Sequence, residues 1–333
     1  MKHDNDIETR SPATTRLSTK DLRGILLPFP TPFNGNGEVD IQILRSNVQK
    51  WNETGVSGYV VLGSTGERVH LDEREYVQVI EVARKEVPSN LTFNVGAGQQ
   101  STLGTLNEIR RAAALGADAV LVITPFFYRS AITQEALIDY YSQVADAAPV
   151  PVILYSMPAL TSIKIEPATA ARLSEHPNII GIKDSSADIE GFKEIVKLCS
   201  GDFAVLTGNG TVLHDALCAG ASGAILAVGC VVPEMCVEIF NAVQAGDKDQ
   251  AAALQQKLTP LASAVTTKYG IGGLKAALDM IGYTGGVVRA PLRQPDEKAR
   301  ENIAQALTDA RAILTGWSHA QPGSMSRTPA PSS

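Results

Sequence analysis

Eight short apolar runs, separated by segments of helical periodicity, constrain this chain more than anything else in it. They are GILLPFPTPF (24–33), GYVVL (58–62), LTFNVGAG (91–98), AVLVITP (119–125), PVILYSM (151–157), IIGIKDS (179–185), FAVLTGNG (203–210) and GAILAVG (223–229). Most are near-continuous rather than alternating, the mark of parallel strands covered on both faces. The segments between them read as helices. In the first, Ile41, Leu44, Val48 and Trp51 fall on one face. The second opens with Asp72 and Glu75 at capping-box spacing. Gly55, Gly116 and Gly220 stand where helix C-caps belong.

Strand–helix units repeated in this way predict a (β/α)8 TIM barrel. A doubly wound sheet is the alternative. It would bring a GxGxxG fingerprint after the first strand, and GILLPFPTPFNGNG has none. The boundaries expected are a tail without structure at 1–20, a barrel over 21–246, C-terminal helices packed on the barrel over 247–317, and a second unstructured tail over 318–333. Both tails are polar or rich in Ser, Pro and Ala, without periodicity.

Composition narrows the function classes. The 333 residues carry a formal net charge of -6 and are 44% apolar. No basic surface points to nucleic acid. No apolar run approaches the ~20 residues that span a bilayer. The N-terminal stretch lacks an apolar core and carries Asp4, Asp6 and Glu8, unlike a secretory or transit peptide. A soluble cytoplasmic protein is expected. The four cysteines form no CxxC pair and read as reduced thiols. None of the five histidines falls at a strand end, so no metal site is expected.

In a barrel of this kind, chemistry sits at the C-terminal ends of the strands. Lys183 ends the sixth apolar run. Lysine is rarely buried without a partner or a task. Desolvation disfavours the ammonium, and a neutral lysine amine attacks carbonyls to form a Schiff base. The bland alternative is a lysine that snorkels to solvent or pairs with Asp184. Tyr155 ends the preceding strand, where a phenol can move protons beside an imine, or else simply plug the barrel. GSTGE (63–67) places Ser64 and Thr65 between glycines, a loop that suits a small carboxylate if it is more than a tight turn.

These stretches together resemble the dihydrodipicolinate synthase / N-acetylneuraminate lyase family of class I pyruvate aldolases. The resemblance runs over about 24 to 293. It rests on GSTGE (63–67), Tyr155-x-x-Pro158, GIKDS (181–185) and KYGIGGLKAALDMIGY (268–283). It implies that Lys183 condenses with the keto group of pyruvate or another 2-oxo acid and that Tyr155 shuttles protons. Ser64 and Thr65 would hold the pyruvyl carboxylate, with Ser64 linked to Tyr155. Gly208 and Ile225 would supply backbone contacts. It implies no metal or organic cofactor, a small-molecule 2-oxo acid as substrate, and a homotetramer or homodimer.

Two positions depart from the family's pattern. Members that bind aspartate semialdehyde carry an arginine where this chain has Leu160, and a leucine cannot make a bidentate carboxylate contact. A tyrosine often donated across a dimer interface is here Phe127, with Tyr128 next to it. YSMPALT and HPNIIGIKDSS are similar to 4-hydroxy-2-oxoglutarate aldolases, and PAL also echoes N-acetylneuraminate lyases. The expectation is therefore cleavage of a 4-hydroxy-2-oxo acid to pyruvate and an aldehyde such as glyoxylate. Arg129 is the candidate contact for a second carboxylate. The alternatives are 4-hydroxy-tetrahydrodipicolinate synthase and a catalytically silent barrel that binds a 2-oxo acid.

Overall fold

The computed structural model describes residues 17–199 and 201–317. Eight parallel strands close a barrel in sequence order, β1 pairing with β8. The strands are β1 (Gly24–Leu27), β2 (Gly58–Val61), β3 (Thr92–Ala97), β4 (Ala119–Ile123), β5 (Val152–Ser156), β6 (Ile179–Asp184), β7 (Ala204–Thr207) and β8 (Gly223–Ile225). The helices that follow the strands are α1 (Ile41–Trp51), α2 (Glu73–Glu86), α3 (Thr102–Ala114), α4 (Gln134–Ala147), the single turn α5 (Pro158–Thr161), α6 (Pro167–Ser174), α7 (Ile189–Leu198), α8 (Leu213–Cys218) and α9 (Pro233–Ala245). The chain continues into α10 (Lys248–Ser263), α11 (Gly270–Asp279) and α12 (Glu297–Trp317).

Local chemistry sets several of these boundaries as the sequence predicts. The Asp72 carboxylate accepts the Glu75 N–H while Glu75 accepts the Asp72 N–H, closing the capping box of α2. Asp40, Ser101, Thr133 and Asp188 cap α1, α3, α4 and α7. Gly116 and Gly220 follow α3 and α8 with positive φ. The terminal stretches 1–16 and 318–333 lie outside the described residues. One boundary differs from expectation: a 3-10 turn starts at Thr19, inside the stretch expected to lack structure, and buries Leu22. Among the described residues no helix is long and apolar enough to cross a membrane. The four cysteines are free; Cys230 and Cys236 are buried, whereas Cys218 is exposed.

The apolar residues separate into two layers. One lies inside the barrel and includes Leu26, Val60, Leu121, Ile153, Tyr155, Leu206 and Ile225. The other lies between the strands and the surrounding helices and includes Trp51, Tyr59, Val95, Leu154 and Ile182. Successive strand residues alternate between them. Near-continuous apolar runs are the result, because both faces are buried.

Trp51 shows how the C-terminal segment joins the barrel. Its ring stacks on Phe29 after β1 at 5.7 Å and on Tyr283 after α11 at 5.0 Å. Its indole N–H donates to the Cys230 carbonyl at 3.0 Å. Val287 also donates its N–H to the Phe33 carbonyl at 3.0 Å. Trp51→Ala should therefore loosen barrel and C-terminal segment together. The expected loss is about 3–5 kcal/mol, read as a single lowered midpoint in urea unfolding; a separate early transition for the C-terminal segment would contradict this account.

Candidate active site

The site begins with a register. On β5 and β6, Tyr155 and Lys183 are direct partners, as are Leu154 and Ile182. The pairing is irregular one step earlier: Val152 opposes Ile179, but Ile153 opposes Gly181. Ile180 is thus the extra residue of a bulge, which restarts the alternation. From there Ile182 joins the outer layer and Lys183 shares the interior side with Tyr155. Lys183 Nζ lies 4.5 Å from the centre of the Tyr155 ring.

Both bland explanations of Lys183 fail. It does not snorkel, being 5% exposed. It does not pair with Asp184, whose carboxylate turns away and accepts the backbone N–H of Ser186 at 2.7 Å and its hydroxyl. Burial raises the Asp184 carboxyl above its ordinary value, opposed by the Ser186 hydrogen bonds. Among the described residues no carboxylate forms an ion pair with Lys183.

The GSTGE stretch is a tight turn at the end of β2. Gly66 donates its N–H to the Gly63 carbonyl at 3.0 Å, and Glu67 donates to Ser64 at 3.1 Å. The Thr31 hydroxyl donates to the Gly66 carbonyl at 2.7 Å. Ser64 Oγ lies 3.4 Å from the Tyr155 hydroxyl, at the limit of a hydrogen bond. Thr65 sits beside it, half-buried. Ser64 and Tyr155 line one cavity, and Lys183 stands against the Tyr155 ring.

At Gly208, after β7, a Cβ would stand 2.5 Å from Lys183 Cε and 1.9 Å from Ser185 Oγ. Only a glycine lets the backbone come this close to the lysine. Ile225 on β8 is fully buried in the interior layer.

The outer candidates separate. Leu160 is 59% exposed and lines a cavity of 260 Å³ together with Ser64, Tyr155, Thr161, Ile271 and Leu292. Phe127 and Tyr128 are about as exposed and pack edge to face against each other, outside that cavity. Tyr128 therefore does not turn inward in this chain. Arg129, the candidate contact for a second carboxylate, is exposed on a 3-10 turn and does not line the cavity.

The cation that does line the cavity is Arg68, which sequence reasoning missed. Its guanidinium donates to Glu108 at 2.6 Å and to the Gly98 carbonyl at 2.7 Å. Ser185 was missed as well: its hydroxyl is buried and has no hydrogen-bond partner. Its signal was present in IKDSS, two residues past the lysine. Among the described residues no three His, Cys, Asp or Glu side chains converge as metal ligands.

This arrangement supports carbonyl chemistry: a buried lysine, a phenol and a hydroxyl at one end of a barrel, with the Ser64–Thr65 turn at the end of β2. The comparisons agree. Residues 21–310 match the model of the dihydrodipicolinate synthetase family. The chain is 34% identical over 292 residues to the 4-hydroxy-tetrahydrodipicolinate synthase of Thermodesulfovibrio yellowstonii, covering 88% of this chain and 99% of that one. It is 33% identical over 286 residues to the enzyme of the same name from Syntrophus aciditrophicus, covering 86% and 97%. The dihydrodipicolinate synthase structure from Thermotoga maritima superposes with a TM-score of 0.83 at 32% identity, covering 86% of this chain and 98% of that one. A barrel of this topology, matched along nearly its whole described length, makes this chain a member of the dihydrodipicolinate synthetase family and an enzyme of the lysine Schiff-base, carbon–carbon lyase class.

Proposed function

We propose that this protein uses pyruvate, held as an imine on Lys183, to make or break the C3–C4 bond of a 4-hydroxy-2-oxo acid. The observation that carries this reading is the buried, carboxylate-free Lys183 in register with Tyr155. The amine adds to the C2 carbonyl, and the carbinolamine loses water to give a protonated imine. Loss of a C3 proton then yields an enamine, the nucleophile toward an aldehyde; cleavage runs these steps backward. Tyr155, near Lys183 Nζ and the Ser64 hydroxyl, is placed to carry protons in both carbinolamine collapse and bond making. Ser64, Thr65 and the N–H groups of their turn hold the carboxylate.

Two acceptors fit. The names of the relatives favour aspartate semialdehyde, the 4-hydroxy-tetrahydrodipicolinate synthase reaction. Leu160 at the cavity rim offers no charge to the carboxylate of aspartate semialdehyde, and equally none to that of glyoxylate. The similarity of YSMPALT and HPNIIGIKDSS to 4-hydroxy-2-oxoglutarate aldolases supports the other acceptor, in cleavage of 4-hydroxy-2-oxoglutarate to pyruvate and glyoxylate. Parallel assays of semialdehyde condensation and pyruvate release decide between them. A homodimer or homotetramer joined through the exposed Phe127–Tyr128 pair is part of the same proposal.

Borohydride reduction with pyruvate should add one reduced pyruvyl group to Lys183, located by peptide mass spectrometry; an adduct elsewhere would sink the assignment. Lys183→Arg should abolish it, since a guanidinium stays protonated. Tyr155→Phe should still bind pyruvate but lower kcat by roughly 10²–10⁴. Gly208→Ala should fold normally yet slow imine formation, because the added methyl displaces Lys183 Cε. Stopped-flow trapping measures this, and an unchanged rate would show the close approach to be incidental.

A further inference from the structure

One pair of buried charges has no part in the chemistry above. Glu67 and Lys275 are both fully buried, with Nζ 2.6 Å from Oε1. Burial depresses the Lys275 ammonium below its ordinary value, and the adjacent Glu67 carboxylate opposes this. Apolar side chains could replace such a pair at little cost, so stability alone is a weak reason for it.

Its position is informative. Glu67 is the last residue of the Gly63–Glu67 turn, and its φ of 53° lies in the left-handed region that non-glycine residues rarely adopt. Glu67 Oε2 accepts the Arg289 N–H at 3.0 Å and lies 3.1 Å from His70 Nδ1. Lys275 Nζ also donates to the Val287 carbonyl at 2.7 Å and lies over the Phe33 ring at 4.4 Å. The carboxylate is thus gripped by α11 and by the strand-like segment that follows it. The opposite side of the turn is fixed as well. A Cβ at Gly96 of β3 would stand 2.2 Å from the Leu62 carbonyl oxygen and 2.8 Å from Gly63 Cα. Ser64, Thr65 and Gly66 lie between these two clamps.

We infer that Lys275, acting through Glu67, is a positioning residue that aims the Ser64–Thr65–Gly66 turn at the substrate carboxylate. The inference rests on the reading that this turn holds the carboxylate of a 2-oxo acid. Lys275 touches neither substrate nor Lys183. Its effect is on recognition of the carboxylate, not on the amine.

Borohydride trapping on Lys183 with two ketones tests this: pyruvate, and acetone, which has no carboxylate. In Lys275→Met the pyruvate concentration for half-maximal trapping should rise roughly 10- to 100-fold. Trapping with acetone should stay within about twofold of the unsubstituted protein, as expected when the amine itself is undisturbed. Removing one member of a buried pair can impair folding, so the neutral double variant Glu67→Gln/Lys275→Met is measured beside it and should show the same split. Equal loss toward both ketones, or unchanged half-saturation by pyruvate in either folded variant, overturns the inference alone. Absence of a pyruvate adduct in the unsubstituted protein overturns the aldolase reading, and this inference with it.

Discussion

The site depends on one irregularity in strand pairing. If the strand kept a strict two-residue alternation from Ile179, with no bulge at Ile180, Lys183 would fall on the outer face with Ile179, its ammonium among Leu154 and the helices, while Ile182 turned inward. There it would have neither solvent nor a counter-ion, and a buried unpaired charge costs several kcal/mol. The bulge instead turns Lys183 to the interior side beside Tyr155. Gly208 then makes room for the side chain. Bulges are common next to functional sites because they re-aim a side chain at small cost to the sheet.

The turn opposite the lysine is under backbone constraint. Leu62 and Glu67, at its two ends, both have positive φ, at a cost on the order of 1–3 kcal/mol each. Such conformations persist only where the surroundings over-determine them. Here the surroundings are β3 on one side and the C-terminal segment on the other, with Thr31 bonding the Gly66 carbonyl between them. This gives the helices after the barrel a structural purpose. They complete the enclosure of a turn that the eight strands alone leave half supported.

Much of this was legible in the sequence, and the reason is physical. The barrel follows from continuous apolar runs and helix caps, which are local properties. Lys183, Tyr155 and Ser64, the groups of the proposed chemistry, stand at strand ends, where the barrel rule looks for candidates. Ser185 could have been found the same way, from a second hydroxyl in the same run. Other parts were not legible. The ion pairs Arg68–Glu108 and Glu67–Lys275 join residues that only closure of the barrel and docking of α11 bring together. Both Glu67 and Lys275 stood inside quoted motifs, but nothing local distinguishes a buried carboxylate or ammonium from a solvated one. Tyr128 and Arg129, exposed and outside the cavity, show the converse. Sequence proximity to a strand end does not fix the direction of a side chain on the exposed turn that follows.

The same contrast explains why the reaction class is easier to read than the acceptor aldehyde. The groups proposed to carry the imine chemistry stand on paired strands, whose directions the register fixes. At the rim, where the acceptor is proposed to enter, Leu160 is exposed and supplies no charge. The nearest cation lining the cavity, Arg68, is already balanced by Glu108 and held by the Gly98 carbonyl. A carboxylate arriving there would compete with Glu108 for the guanidinium, and its gain would be the difference between two similar charge-assisted bonds. On the proposed function, discrimination between acceptors would therefore rest less on net charge than on how the rim side chains fill the 260 Å³ above Tyr155.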